Sequence, residues 1–159
     1  MRDLQLAVSG TRYQIPSWQA EGAIALMERL RPSAVHHGCC TGADETLGLA
    51  ACELGSAPTI VGHPARGVPF WFRSTKVPCD FIQPELPPLE RNKAMVRVCH
   101  VLIACPSTSD PNARSGTWAT IRAARKLLGR SMHLIAVFPP EHGARMWRLG
   151  SLPPELRAP

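Results

Sequence analysis

Three short segments join glycine to hydroxyl, basic or acidic side chains in the manner of anion-holding turns, and a fourth sets arginine beside asparagine at a helix start. In Val8-Ser9-Gly10-Thr11-Arg12, Gly10 lets the backbone come close to a ligand, and Arg12 offers a planar fork to phosphate or carboxylate. The same residues also suit a plain tight turn with an exposed arginine. In the segment from His37 to Glu45, Gly38 and Gly42 bracket a turn that runs straight into a helix. Such a turn aims free backbone N–H groups at an anion, and Asp44 in the first helical turn suits the helix dipole. The alternative is an ordinary turn with a capping acid. In Glu90-Arg91-Asn92-Lys93, Arg91 and Asn92 open a helix and can reach across a cleft; the plainer reading is a charged helix start. Arg114-Ser115-Gly116-Thr117-Trp118 is the strongest of the four. Ser115 and Thr117 supply hydroxyls, Gly116 bares the backbone and Arg114 supplies charge, which is phosphate-cradle chemistry without the lysine of a P-loop. Trp118 reads as packing.

These segments need elements to present them. Leu4–Val8, Ala34–His37, Thr59–Val61, Val101–Ala104 and Leu134–Val137 read as strands. Helices are expected over Pro16–Leu30, with Ser17 as a candidate cap, and over Ala43–Leu54, Glu90–Val98 and Gly116–Leu128. Ala23, Ile24, Leu26, Met27 and Leu30 recur at helical intervals and should face the core. The alternation implies an α/β fold: a Rossmann-like parallel sheet of about five strands with helices on both faces. Ligands of such sheets bind at the carboxyl ends of the strands, where all four segments fall. Residues 62–89 read as a long proline-rich loop, of a kind that is often functional. The domain is expected over 1–139, with an irregular proline-rich tail over 140–159 that holds a turn near Arg145 to Leu149.

Composition narrows the classes of function. The chain has 159 residues, 45% of them hydrophobic, which suits one domain with a full core. No apolar run approaches a membrane span, and the first residues carry both charges and no apolar stretch, so a cytoplasmic location is expected. The net charge of +6 favours an anionic partner. The densest basic stretch, Arg122, Arg125, Lys126 and Arg130, has helical spacing and suits a solvated face. The six cysteines form no CxxC pair, and reduced structural thiols are expected, with no metal site and no bound cofactor. Cys99 and Cys105 flank an apolar strand and should be buried.

Gly38 to Asp44, the His63-Pro64 step, Arg91-Asn92, and Arg114 to Thr117 followed by Ala124 and Gly129 resemble the SLOG superfamily, over about Leu4 to Pro139. That group includes the lonely-guy phosphoribohydrolases and DNA-processing protein A. The resemblance implies a Rossmann-like fold, a homodimer, and binding of a nucleotide or nucleotide derivative. On that reading Gly10, Thr11, Arg12, Gly38, Gly42, Asp44, Arg91, Asn92, Arg114, Ser115, Gly116 and Thr117 contribute to the ligand site. One departure bears on activity. Lonely-guy enzymes carry a glutamate three residues after the motif threonine, and here that position is Thr120. Glu90 and Asp44 are the acids left as candidates for N-glycosidic hydrolysis, and an enzyme of that type stands beside a pure ligand sensor. The alternative class is a nucleic-acid-binding module of the DNA-processing type, although no aromatic stacking series is evident in the sequence.

Overall fold

Apolar residues on neighbouring strands alternate between two separate cores. Along the strand Val101–Cys105, Val101, Ile103 and Cys105 enter one cluster, while Leu102 and Ala104 enter the other. A strand buried on both faces must sit inside a sheet covered by helices on both sides. The computed structural model, which describes residues 2–159, has this architecture.

Seven strands form one sheet: β1 (Gln5–Gly10), β2 (Ala34–His37), β3 (Thr59–Gly62), β4 (Phe81–Ile82), β5 (Val101–Cys105), β6 (Leu134–Val137) and β7 (Trp147–Gly150), in the order β4-β3-β2-β1-β5-β6-β7. All neighbours are parallel except β6 and β7. Helices α1 (Ser17–Leu30) and α2 (Ala43–Cys52) bury Met27, Leu47 and Ala51 with Leu6, Val8 and Ile103. On the opposite face, α3 (Pro88–Arg97) and α4 (Gly116–Lys126) bury Met95, Trp118 and Ile121 with Ala7, Leu102 and Ile135. The strand order reverses between β1 and β5, because β1 leads outward to β2 and the chain returns to β5 on its other side. Open α/β sheets bind their ligands at such a switch point.

The five expected strands are present, with two more at the edges. β4 lies within the 62–89 segment and pairs with β3. That segment also carries a single 3-10 turn at Phe70–Phe72. β7 lies where a turn in an irregular tail was expected: Arg148 pairs with Ala136 and Leu149 with Ile135. Both are short edge strands, the kind of element whose pairing comes from a distant partner and not from local pattern. Ser17 is not the cap of α1. Pro16 holds the cap position without a side-chain bond, and its carbonyl accepts from the N–H groups of Gln19 and Ala20. Ala23, Leu26 and Met27 are buried as expected, with Ile24 and Leu30 half-buried against the same core. Cys99 and Cys105 are buried, and all six cysteines are free thiols. Arg122, Arg125, Lys126 and Arg130 are solvent-exposed.

Candidate functional site

A cleft of about 370 Å³ opens at the switch point, over the carboxyl ends of β1 and β2 and beside the starts of α3 and α4. Gly10, Thr11 and Arg12 line it from the end of β1 and the loop after it, Gly38 from the turn after β2, and Asp44 from the first turn of α2. Arg91 and Asn92 line it from α3, and Ser115, Gly116 and Thr117 from α4. Residues 80 and more positions apart thus converge. Three sequence-level candidates lie elsewhere. Glu90 is exposed outside the cleft, on the first turn of α3. Arg114 is also exposed and outside it. Gly42 is packed behind the wall and is absent from the lining. Several lining residues escaped notice in the sequence: Tyr13, Cys40, Leu89 and Ser107. Ser107 follows a buried strand and was findable by the strand-end rule. Leu89 and Tyr13 carry no local mark of a site.

The two glycine-rich helix starts differ in a way that decides what each can do. At α4, Ser115 caps the helix, its Oγ accepting from Trp118 N–H at 3.1 Å and its carbonyl from Ala119 N–H at 2.9 Å. The N–H groups of Gly116 and Thr117 meet no protein acceptor among the described residues, as expected of a first helical turn. A Cβ built on Gly116 would meet nothing within 4 Å. Trp118 is indeed packing: it is 3% exposed, and its indole N–H donates to Thr108 O at 2.8 Å. Thr120 is fully buried and bonds back to Gly116 O at 2.9 Å, so it does not reach the cleft.

At α2 a loop covers the start and takes its first N–H. Ala43 N–H donates to Thr11 O at 3.0 Å, and Thr41 Oγ1 to Arg12 O at 2.7 Å. The β1–α1 loop therefore lies over this helix start. The turn before it is bound by a carboxyl group from the helix itself. Cys40 N–H donates to Asp44 Oδ2 at 3.2 Å, and Cys39 holds a left-handed φ of 58° that shapes the turn.

Asp44 is the one carboxyl in the cleft lining. Burial pushes its pKa up to about 6, against smaller opposing effects from the Arg91 charge and from the N–H groups of Cys40 and Gly38. Arg91 is buried too, and most of its donors are committed. Nη1 donates to the carbonyls of Gly38 at 2.5 Å and His63 at 2.8 Å, and Nε donates to Asn92 Oδ1 at 2.8 Å. It ties three segments of the cleft wall together. Cys40 stays a neutral thiol, its pKa raised by burial and by Asp44.

Beneath the wall, His36 Nδ1 lies 2.8 Å from His63 Nε2, and His36 Nε2 lies 2.8 Å from Gln5 Oε1. Burial lowers both histidines, His36 to about 4 and His63 to about 3, so they are neutral hydrogen-bonding struts at neutral pH.

The raised Asp44 pKa sets a testable pH dependence. An acid whose folded pKa lies above its unfolded value loses stability as pH rises from the unfolded to the folded value. The penalty is absent below about pH 4 and complete above about pH 6. Asp44→Asn keeps an oxygen for Cys40 N–H and removes the charge. It is expected to stabilise the protein at pH 7 by up to about 3 kcal/mol, with the difference vanishing toward pH 4. Urea unfolding of both proteins at the two pH values checks this. A variant that is less stable than the parent at pH 7 would show that the carboxylate is well compensated.

No family model and no curated protein matches this sequence. Solved structures do match in fold. The molybdenum cofactor binding protein from the phototrophic bacterium Rippkaea orientalis aligns with a TM-score of 0.57 at 21% identity, over 79% of this chain and 72% of that one. The structural genomics target TM1055 aligns with a TM-score of 0.56 at 19% identity, over 80% and 71%. DNA processing protein A from Streptococcus pneumoniae aligns with a TM-score of 0.62 at 18% identity, over 89% of this chain but 52% of that one, so this chain spans about half its length. The chain thus shares the Rossmann-like α/β fold of these three structures. Among the described residues no helix is long and apolar enough to cross a membrane.

Proposed function

We propose that the cleft binds a nucleotide or nucleotide derivative, with its phosphate on the start of α4. The observation that carries this reading is the contrast between the helix starts: the β1–α1 loop packs against Gly42 and takes the first N–H of α2, whereas α4 presents the N–H groups of Gly116 and Thr117 beside a glycine with open space around it. Ser115 and Thr117 add hydroxyls, and Arg12, at the rim, adds charge. Asn92 gives its oxygen to Arg91, which leaves its amide protons for the ligand. The volume lies within the range of small-molecule sites. The name of the Rippkaea orientalis protein, which binds a molybdenum cofactor, supports the same class of ligand for this fold. The test is calorimetric titration with AMP and with ribose 5-phosphate. Saturable binding of both, competed by inorganic phosphate, is the expected result; no binding of either ends the proposal.

Within this reading the protein acts as a binder first. Cleavage of an N-glycosidic bond needs a carboxylate near the anomeric carbon, to stabilise developing positive charge and to activate water. Thr120 is buried away from the cleft, and Glu90 lies outside it. Asp44 is the acid left to serve. Release of free base from AMP, followed by chromatography, is expected to be slow, because such assistance is worth about 10²–10⁴-fold. Fast release that disappears in Asp44→Asn would make the protein a hydrolase with Asp44 as its acid.

A further inference from the structure

Tyr13 is the chain's single tyrosine, lines the cleft, and is 69% exposed. Its position is nonetheless firmly set. Its carbonyl packs against Gly42, where a Cβ would come within 2.4 Å of it, and its N–H donates to Thr11 Oγ1 at 3.2 Å. Its ring meets the Phe72 ring edge-to-face, with centroids 5.4 Å apart and planes at 84°. Arg12 lies over the same Phe72 ring at 5.7 Å. Leu89, 59% exposed, lines the cleft from the start of α3. The cleft lining thus joins the polar groups of Ser115 to Thr117 to an aromatic and an aliphatic residue from two other elements. A held aromatic ring with most of its surface in solvent, on the lining of a cleft, is the arrangement on which a flat heterocycle stacks.

We propose that the Tyr13 ring stacks the nucleobase of the bound ligand, so that the site takes base-bearing phosphates in preference to bare sugar phosphates. This rests on the reading of the cleft as a nucleotide site. A single ring offers no pattern of donors and acceptors to read a base edge, so recognition of the base is by ring surface. Phosphate and base are held by separate residues.

The experiment compares AMP and ribose 5-phosphate on the parent protein, Tyr13→Ala and Tyr13→Phe, with a thermal melt of each variant. The parent is expected to prefer AMP by roughly 5- to 150-fold, the range found for stacking on one aromatic residue. Tyr13→Ala should lose that preference while binding ribose 5-phosphate as before, and Tyr13→Phe should keep it. Equal weakening of both ligands in Tyr13→Ala would overturn the proposal, as would no change in either. Absence of binding of both ligands to the parent would instead fell the nucleotide reading beneath it. A ten-nucleotide oligothymidylate supplies the last arm. Phe70 and Trp71 are exposed beside Phe72. If the oligomer binds far more tightly than TMP, and Trp71→Ala costs as much as Tyr13→Ala, the ring serves a single strand and the single-base assignment is wrong.

Discussion

Replacing Gly116 by valine is expected to reduce AMP and phosphate binding by roughly 100-fold or more while leaving the fold intact. The first part follows from what the position faces. Gly116 opens α4, is exposed and lines the cleft, and the N–H groups of Gly116 and Thr117 have no protein acceptor among the described residues. A hydrogen bond to a charged group is worth about 1.5–3 kcal/mol, so two such bonds account for a loss of that size. A branched side chain over these groups keeps the phosphate from reaching them. The second part follows from the same open space. A Cβ here meets nothing within 4 Å, and the helix gains a residue with less freedom in the unfolded chain. Unfolding free energy is therefore expected to stay within about 0.5 kcal/mol of the parent. Calorimetric titration and a urea melt of the same preparation check both halves. Undiminished binding would place the phosphate elsewhere in the cleft.

Gly42→Ala is expected to do the opposite and damage the fold itself. Gly42 has φ 77° and ψ −127°, a backbone region that only glycine occupies without strain. A Cβ there would lie 2.3 Å from Thr11 O and 2.4 Å from Tyr13 O, both backbone atoms that cannot step aside as a side chain would. Relief requires the β1–α1 loop to lift from the start of α2. That movement breaks the bonds from Ala43 N–H and Thr41 Oγ1 to the loop carbonyls. Strain of about 1–3 kcal/mol and the two lost bonds together make about 4 kcal/mol a reasonable expectation, a large share of a domain's stability. The readout is the urea midpoint of Gly42→Ala against Gly116→Ala. A difference below about 1 kcal/mol would mean that the loop adapts at little cost.

These two glycines show where sequence reasoning stops. Both stand next to a helix start after a strand, and both resemble phosphate-holding turns by residue type and spacing. Nothing local separates them. The difference lies in a third segment, residues 11–13, which crosses over α2 and leaves α4 open. Which helix start is covered depends on contacts between residues some thirty positions apart, and no window on the chain contains them. Arg91 shows the same limit. Its type and place at a helix start suit a phosphate fork, yet its guanidinium is drawn inward by the carbonyls of Gly38 and His63, because a buried arginine must satisfy its donors within the protein. Glu90, its neighbour, lies outside the cleft because adjacent residues on a helix project about 100° apart.

The order of strands and helices, the strand Val101–Ala104 with the buried Cys105 beside it, and the gathering of turns at the strand ends were legible from the amino acids alone. They follow from periodicity and turn chemistry, which act over a few residues. The edge strands Phe81–Ile82 and Trp147–Gly150 were not legible, since they have four residues or fewer, expose most of their side chains, and are defined by the strand they pair with. Nor was the meeting of Tyr13, Leu89 and Asp44 around one cleft. That meeting is decided by the reversal of strand order between β1 and β5, a property of how the sheet is assembled and not of any segment within it.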